Sequence, residues 1–417
     1  MNSRNSRSKK PLLVSLSATC ALLLAGGGYV AAVAAAPPIK PTFAEAEGAL
    51  APIHHDDTQA HEMVLAKPKP TAVGFAEQDT VWSNDDTAYP LASISKLITV
   101  LVCLDAAPLD PDLSTWGTYT WTEADRERQE AFIADEGVAF PMPVGTEIPL
   151  TDLFTLIFLP SANDMVTAYA YTVFDSNDAF VTAVHAWAEK NGLDSIEFRE
   201  PSGMDEGNKA SPSDLVRVGR IALKDPVITQ FITQESAYVE GAGYVENTNP
   251  LLGVEQGILG IKTGRSLSAG FNLLVAQERT SNGRSYEQIS ATMGRGSLRE
   301  RADSGREMLG ELDKLPLSVA PLQAGELLGT LTDWSGATIE VTAADAATEV
   351  TLLPGESVTR EGLTVKTPET AENGAAVGTI TVSTPAGEEQ IDLVTTAPLT
   401  QPDLWWRVTH PGDVLFR

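Results

Sequence analysis

The apolar residues of this chain change their spacing along its length, and each change predicts a different kind of structure. From Pro11 to Ala36 no residue is charged, and these 26 residues as a helix would extend about 39 Å against roughly 30 Å of bilayer hydrocarbon. From Thr71 to Trp82 the apolar positions Val73, Phe75 and Val81 fit opening strands. Helical spacing follows. Ile94, Leu97, Ile98, Leu101 and Leu104 line one face, and Val100, Val102 and Cys103 make the others apolar too. A helix apolar nearly all round is one buried in the middle of a domain. Ser93 stands at its start, where backbone N–H groups lack partners and the helix dipole favours negative charge. Leu150 to Pro160 repeats the helical spacing, Ser161 falls in a turn, and a second helix runs from Asp164 to about Phe174. Two strand-like runs, Gly257 to Ile261 and Gly270 to Ala276, flank residues 262–269, which predicts a hairpin with Lys262 at the end of its first strand. Beyond about Leu315 the period becomes two: Ile339 and Val341, Ile380 and Val382, then Ile391 and Leu393. Turns at Pro354-Gly355 and Pro385-Ala386-Gly387 divide these segments, as expected of a separate all-β domain.

The pattern divides the chain into residues 1–36 as a signal peptide or signal anchor, 37–69 as a linker, 70–315 as a first domain and 316–417 as the β-domain. A length of 417 residues suffices for two domains, and 43% hydrophobic content fits soluble globules. Arg4, Arg7, Lys9 and Lys10 precede the uncharged run and the first acidic residue is Glu45, so the positive-inside bias keeps the N-terminus in the cytoplasm and exports the rest. Ala32-Val33-Ala34 offers a small-x-small cleavage site, whereas Pro37 obstructs cleavage after Ala36, so removal and retention both stay open. Cys20 reads as a membrane-embedded thiol and Cys103 as a small core hydrophobe, which leaves no disulfide framework. The chain carries 29 basic and 56 acidic residues, a net −27, and 24 against 56, or −32, once the five basic residues through Lys40 are set aside. Such a polyanion is no candidate for nucleic-acid binding. His54, His55, Asp56, Asp57, His61 and Glu62 cluster in the linker, but their spacing matches no closed ligand set and a flexible tether preorganises none, so a solvated polar linker is expected there.

Three short motifs carry the chemistry: Ser93-Ile94-Ser95-Lys96, Ser161-Ala162-Asn163 and Lys262-Thr263-Gly264. Ser93 and Lys96 are three apart on a helix and share a face. A serine hydroxyl is a weak nucleophile until a base removes its proton, and a lysine can act as base only when neutral. Burial and a second cation both lower a lysine pKa, and Lys262 would be that cation. Ser161 is read as a relay hydroxyl to the leaving amine, and Asn163 as an amide that orients a peptide bond. A strand edge bearing a cation, a hydroxyl and Gly264, which permits close backbone approach, suits a terminal carboxylate in extended form. Each motif alone is weak, because capping serines, surface lysines and turn asparagines are common. Their order, their spacing of 68 and then 101 residues, and their local contexts agree with one another.

A set of this kind is characteristic of β-lactamases and penicillin-binding proteins. The chain resembles the low-molecular-mass penicillin-binding proteins, the D-alanyl-D-alanine carboxypeptidases of the serine peptidase type. The resemblance extends through Tyr89 to Thr99, Val144-Gly145-Thr146, Leu159 to Asp164, Glu200 to Asp205, Asn247 to Leu252 and Gly260 to Gly270. It implies an α+β, β-lactamase/transpeptidase-like catalytic domain, an antiparallel sheet flanked by helices with a helical subdomain, followed by the small all-β domain. It further implies Ser93 as acylated nucleophile, Lys96 as general base, Ser161 and Asn163 as the second box, and Lys262, Thr263 and Gly264 as carboxylate-binding strand. The backbone N–H groups of Ser93 and Arg265 would form the oxyanion hole. The carboxylate-binding arginine is open among Arg265, Arg295 and Arg299. Asn272 stands where many members carry Cys or a smaller residue. The implied substrates are peptidoglycan stem peptides, with β-lactams as covalent inhibitors and the membrane as a partner if the N-terminal segment is uncleaved. No metal or cofactor is needed. A D,D-endopeptidase or transpeptidase shares the constellation, a β-lactamase lacks its Glu-x-x-Leu-Asn box here, and an inert wall-binding module would not need Ser93 and Lys96.

Overall fold

The computed structural model describes residues 24–416. Most of the expected signal segment, with Cys20, lies outside them. Residues 24–35 are helical, and among the described residues no helix is long and apolar enough to cross a membrane. The chain divides into two compact units, one of residues 55–317 with 353–355, the other of 318–352 and 356–417 joined by the N-terminal residues through His54.

The larger unit is built on five antiparallel strands: β1 (Thr71–Phe75), β2 (Val81–Ser83), β3 (Ile258–Ser266), β4 (Gly270–Ser281) and β5 (Arg284–Arg295), in the order β3-β4-β5-β1-β2. Strand β4 shows why both faces are covered. Leu274 and Ala276 join a cluster with Val216 and Ile289, while Leu273 and Val275 join a second cluster with Met308 and Leu309. Successive side chains point to opposite faces, so a run of apolar residues without alternation is the signature of a strand buried on both sides. The helices responsible are α4 (Pro212–Lys224) on one face and α5 (Leu298–Leu312) on the other. Each begins at a serine whose hydroxyl accepts a backbone N–H three residues on: Ser211 from Asp214 and Ser297 from Glu300.

The central helix α1 (Ser95–Ala106) is buried from Ser95 to Leu104, as its all-round apolarity requires. It follows a 3₁₀ turn, Ala92–Ile94, rather than beginning at Ser93 itself. Helices α2 (Leu150–Phe158) and α3 (Asn163–Val173) pack through Phe154 and Tyr169, whose rings meet edge-to-face at 4.8 Å. Residues Leu159 to Ala162 make the turn between them. Strand β3 does not end at Lys262 as the sequence suggested. Its ladder with β4 continues from Lys262 opposite Leu274 to Ser266 opposite Gly270, so the third motif lies inside a paired strand.

In the smaller unit seven strands form one sheet, in the order Thr42–Glu45, Leu327–Thr332, Thr338–Ala343, Gly387–Thr395, Ala376–Thr384, Ser357–Val365 and Ile53–His54. The expectation of a free linker over 37–69 is therefore corrected. Phe43 pairs with Leu331, and its ring occupies the space over Gly329, where an added Cβ would come within 2.4 Å of it. In the larger unit, helix Thr58–Leu65 buries Ala60 and Val64 with Val73, Phe75 and Trp82. Three side chains of that stretch serve structure: His54 meets Ser357 Oγ at 2.8 Å, His55 meets Leu315 O at 2.7 Å, and Asp57 accepts the Trp82 indole N–H at 3.0 Å. Among the described residues no group of three or more such side chains is placed to hold a metal. Cys103 is a buried free thiol, its pKa pushed up by burial.

Candidate active site

Two residues, one beside the first motif and one in the second, sit in backbone conformations that L-residues avoid. Ala92, immediately before Ser93, has φ 49°, and Ser161 has φ 73°. Such conformations cost of order 1–3 kcal/mol each and persist only where the surroundings enforce them. At Ala92 the enforcement is visible. The Leu91 carbonyl lies so close to Gly264 that a Cβ there would approach it to 2.3 Å, and the Ala92 carbonyl would meet a Cβ on Gly203 at 2.1 Å. Glycine at 203 and 264 thus lets two chain segments close on the turn that carries Ser93.

Asn272 completes this frame. Fully buried on β4 opposite Gly264, it donates to Pro90 O at 2.9 Å and Leu91 O at 3.3 Å, and accepts from Gly294 N at 2.9 Å. Its amide bonds the backbone before the nucleophile to the strand beside the third motif, so its larger size is used and the packing is intact.

Lys96 is fully buried, and its Nζ donates to Ser93 Oγ at 2.8 Å and to Ser202 O at 2.8 Å. The second bond explains the Glu200–Asp205 segment. The Glu200 carboxylate accepts from Ser202 N at 2.5 Å and Gly203 N at 2.6 Å, folding the segment about itself and turning the Ser202 carbonyl to the lysine. Thr99, one turn along α1, donates to Pro201 O at 2.7 Å. Burial pulls the Lys96 pKa down to about 7, against the opposing pull of the Glu200 and Asp164 charges. Asp164 is itself buried, which raises its pKa, and it accepts from Gln129 Nε2 at 2.7 Å and Phe140 N at 2.8 Å.

Lys262 is 2% exposed, and its Nζ donates to Ser161 Oγ at 2.8 Å. Burial, then the charges of Lys96 and Arg301, hold its pKa well below the usual lysine range. Thr263 Oγ1 meets Thr248 Oγ1 at 2.7 Å, which gives the Asn247–Leu252 segment its place in the site. Asn163 is buried at the start of α3, its backbone N–H bonded to Val138 O at 2.7 Å. Arg265 is exposed, its guanidinium 5.3 Å from the Phe271 ring centre.

The three arginines singled out in the sequence fare differently. Arg295 is buried and its guanidinium is consumed by Pro70 O, Met293 O, Thr71 Oγ1 and Ser304 Oγ, a structural staple. Arg299 is 91% exposed and pairs with Asp303 at 3.5 Å. Arg265 remains on the strand. The sequence reading missed Arg301. This residue is 5% exposed, donates to Thr248 O at 3.1 Å, leaves its Nε without a partner among the described residues, and lies near enough to depress Lys262. A signal was present: Arg301 shares helical spacing with Gly305, Met308, Leu309 and Leu312, the buried face of α5. An arginine on the apolar face of an amphipathic helix is buried for a reason other than solubility.

The arrangement joins a serine with a neutral-prone lysine at one end to a serine, a lysine, a threonine and an arginine at the other, and among the described residues no carboxylate is bonded to any of the three cations. It is suited to acyl transfer from a substrate that brings its own carboxylate.

A sequence family described as D-alanyl-D-alanine carboxypeptidase matches residues 80–296, more than half of the chain. The D-alanyl-D-alanine carboxypeptidase DacA of Escherichia coli K12 is 25% identical over 295 residues, covering 68% of this chain and 71% of the relative. A D-alanyl-D-alanine endopeptidase of the same organism is 27% identical over 226 residues, covering 52% and 69%. Among solved structures, penicillin binding protein 5 from Haemophilus influenzae has a TM-score of 0.55 at 19% identity, covering 80% of this chain and 97% of that one. The Streptomyces K15 DD-transpeptidase has 0.51 at 20%, covering 58% and 95%. These structures share the α+β fold expected from the sequence.

Proposed function

This chain belongs to the D-alanyl-D-alanine carboxypeptidase family, and from that membership we propose how it works: Ser93 is acylated by peptidoglycan pentapeptide stems, releasing the terminal D-Ala. It is an enzyme of the serine peptidase class, a penicillin-binding protein by its relatives. The observation that carries the residue assignment is the 2.8 Å contact from Lys96 Nζ to Ser93 Oγ, inside a site that lowers the lysine pKa to about 7.

The Ser93 hydroxyl attacks the carbonyl between the two D-Ala residues while Lys96, neutral, accepts its proton. Backbone N–H groups of Ser93 and Arg265 stabilise the oxyanion, and such a donor typically contributes about 3–4 kcal/mol to the transition state. Ser161, held by Lys262, passes a proton to the departing amine as the C–N bond breaks and takes in its place the one Lys96 received from Ser93, which leaves Lys96 neutral for the second step. Asn163 orients the scissile amide. The substrate carboxylate is bound by Lys262, Thr263 and Arg301, and its negative charge raises the Lys262 pKa again. Water, activated by Lys96, then hydrolyses the acyl-Ser93. No step calls for a metal or cofactor.

In this reading, catalysis belongs to residues 55–317, and the β unit takes no part in it. The substrate lies outside the cytoplasmic membrane, in agreement with the basic start and uncharged run of the N-terminus, which either anchors the protein or is removed. The relative named as an endopeptidase favours a second activity, cleavage of D,D-cross-links, at the same site. Purified protein should release D-Ala from a soluble pentapeptide, and inactivity on that substrate with cleavage of cross-linked dimers would select the second reading.

A further inference from the structure

Immediately before the Asn247–Leu252 segment stands a two-stranded hairpin, Ser236–Val239 paired with Gly243–Glu246. Its inner face is fixed: Val239 and Val245 are 1% and 5% exposed and belong to the main core of the catalytic unit. Its outer face carries Ser236 and Glu246, as a solvent face ordinarily carries polar residues, and beside them two large aromatic ones. Tyr238 and Tyr244, directly opposite each other in register, are 65% and 84% exposed with ring centres 5.3 Å apart in an edge-to-face arrangement. A cross-strand aromatic pair steadies a hairpin. This hairpin is already anchored by its valines, and the outer surfaces of both rings remain uncovered.

We propose that the Tyr238–Tyr244 face is a docking platform for the glycan strand of the polymer whose stem peptides the active site trims. The inference rests on the function proposed above. Three observations favour a neutral sugar chain. The hairpin runs straight into the site, because Thr248, four residues beyond Tyr244, bonds Thr263 Oγ1 through its hydroxyl and Arg301 through its carbonyl. The dimensions allow it, since four extended residues reach at most about 14 Å and a five-residue stem at most about 18 Å, so the tyrosines lie within the span of a stem bound at its carboxylate. The charge excludes polyanions: from Pro226 to Ile261 no basic residue occurs, whereas Glu235, Glu240 and Glu246 are exposed around the rings. N-acetylated hexoses present apolar C–H faces to aromatic rings and hydroxyl and amide donors to the phenol oxygens and carboxylates beside them.

The test compares D-Ala release from a soluble pentapeptide and from intact polymeric peptidoglycan, for the full chain and for Tyr238→Ser/Tyr244→Ser and Tyr238→Phe/Tyr244→Phe. The serine pair should keep soluble turnover and penicillin acylation, which also certifies its fold, while losing about fivefold or more on the polymer, in line with the typical strength of aromatic contacts. The phenylalanine pair, which keeps the ring faces and loses the phenol oxygens, should keep soluble turnover and fall by less than the serine pair on the polymer. Penicillin-acylated wild-type protein should co-sediment with denuded glycan strands free of stem peptides, and the serine pair should not. Equal polymer turnover in the serine pair, or no co-sedimentation of the wild type, overturns the proposal and gives the face to a protein partner instead. Tyr244→Ser alone serves if the pair fails to fold. Absence of soluble turnover in the wild type counts against the proposed activity, and the co-sedimentation arm decides the platform without it.

Discussion

The two units treat buried polarity in opposite ways. Among the described residues of the β unit the buried polar side chains are Thr342, Thr351 and Thr395, none of them charged. In residues 55–317 eight charged side chains are buried: Lys96, Asp125, Asp164, Asp214, Arg220, Lys262, Arg295 and Arg301. A buried charge is costly unless fully bonded, so the second unit must either satisfy these groups or use them. It does both. Arg220 gives its guanidinium to the carbonyls of Phe75, Asp79 and Thr80, as Arg295 does to those around it, and both hold the structure together. Lys96, Lys262 and Arg301 instead share a region in which the charges of Lys96 and Arg301 hold the Lys262 pKa down, with their hydrogen bonds directed at Ser93, Ser161 and Thr248. Arg220 and Arg295 are spent on holding neighbouring segments, whereas the proposed mechanism draws on the cations directed at the serine hydroxyls and at the Thr248 carbonyl.

That distinction breaks most sharply at Lys96. Lys96→Ala should slow acylation by at least about 10²–10⁴-fold, the usual worth of general-base assistance in a site whose members act as a unit. Arginine should not rescue it, because arginine stays charged. Rapid-mixing measurement of β-lactam acylation reads both. In the intact enzyme kcat/KM should rise with pH through about 7, since the base form is the neutral lysine and its pKa is about 7. The sign is fixed: protonation below that value removes the base. The same shift makes this lysine's contribution to stability grow with pH between about 7 and its ordinary value near 10.4, because the unfolded chain holds the proton longer.

A smaller effect separates the arginines. Arg301→Ala should lower kcat/KM by about 10- to 100-fold, the worth of a hydrogen bond to a charged group, mainly through KM for carboxylate-bearing substrates. Arg299→Ala should change nothing, and steady-state kinetics on the soluble pentapeptide distinguishes them. The smallest effect on turnover belongs to the β unit. Ile380→Ala, at a fully buried position, should cost about 2–5 kcal/mol of that unit's stability. D-Ala release should be unchanged at temperatures where the unit stays folded, and thermal unfolding followed beside activity checks this.

The elements around the site were legible wherever periodicity was strong. Helix α1 announced itself by apolar residues on every face, and the strand pairs of the β unit by alternation. Ser93, Lys96, Ser161 and Lys262 were legible because a nucleophile, a proton carrier and cations recur in one order with matched local contexts, and the structure brings them together in two 2.8 Å pairs. Two things escaped. Residues 37–69 looked like a tether because their apolar positions, Phe43, Ile53, Ala60 and Val64, are too sparse to show a period, although each is paired or packed with sequence far away. Arg301 escaped because it belongs to no motif. Its role comes from the turn of α5 that faces Thr248, a relation between segments 53 residues apart.

The central claim, that Ser93 is the nucleophile and Lys96 its base, is tested most directly by intact-mass spectrometry after exposure to penicillin. A β-lactam offers the nucleophile the same pairing of carbonyl and carboxylate as D-Ala-D-Ala. The expected result is one covalent adduct in the wild type, located on Ser93, formed far more slowly in Lys96→Ala and absent in Ser93→Ala. An unmodified wild-type protein, or an adduct that persists in Ser93→Ala, would contradict the account.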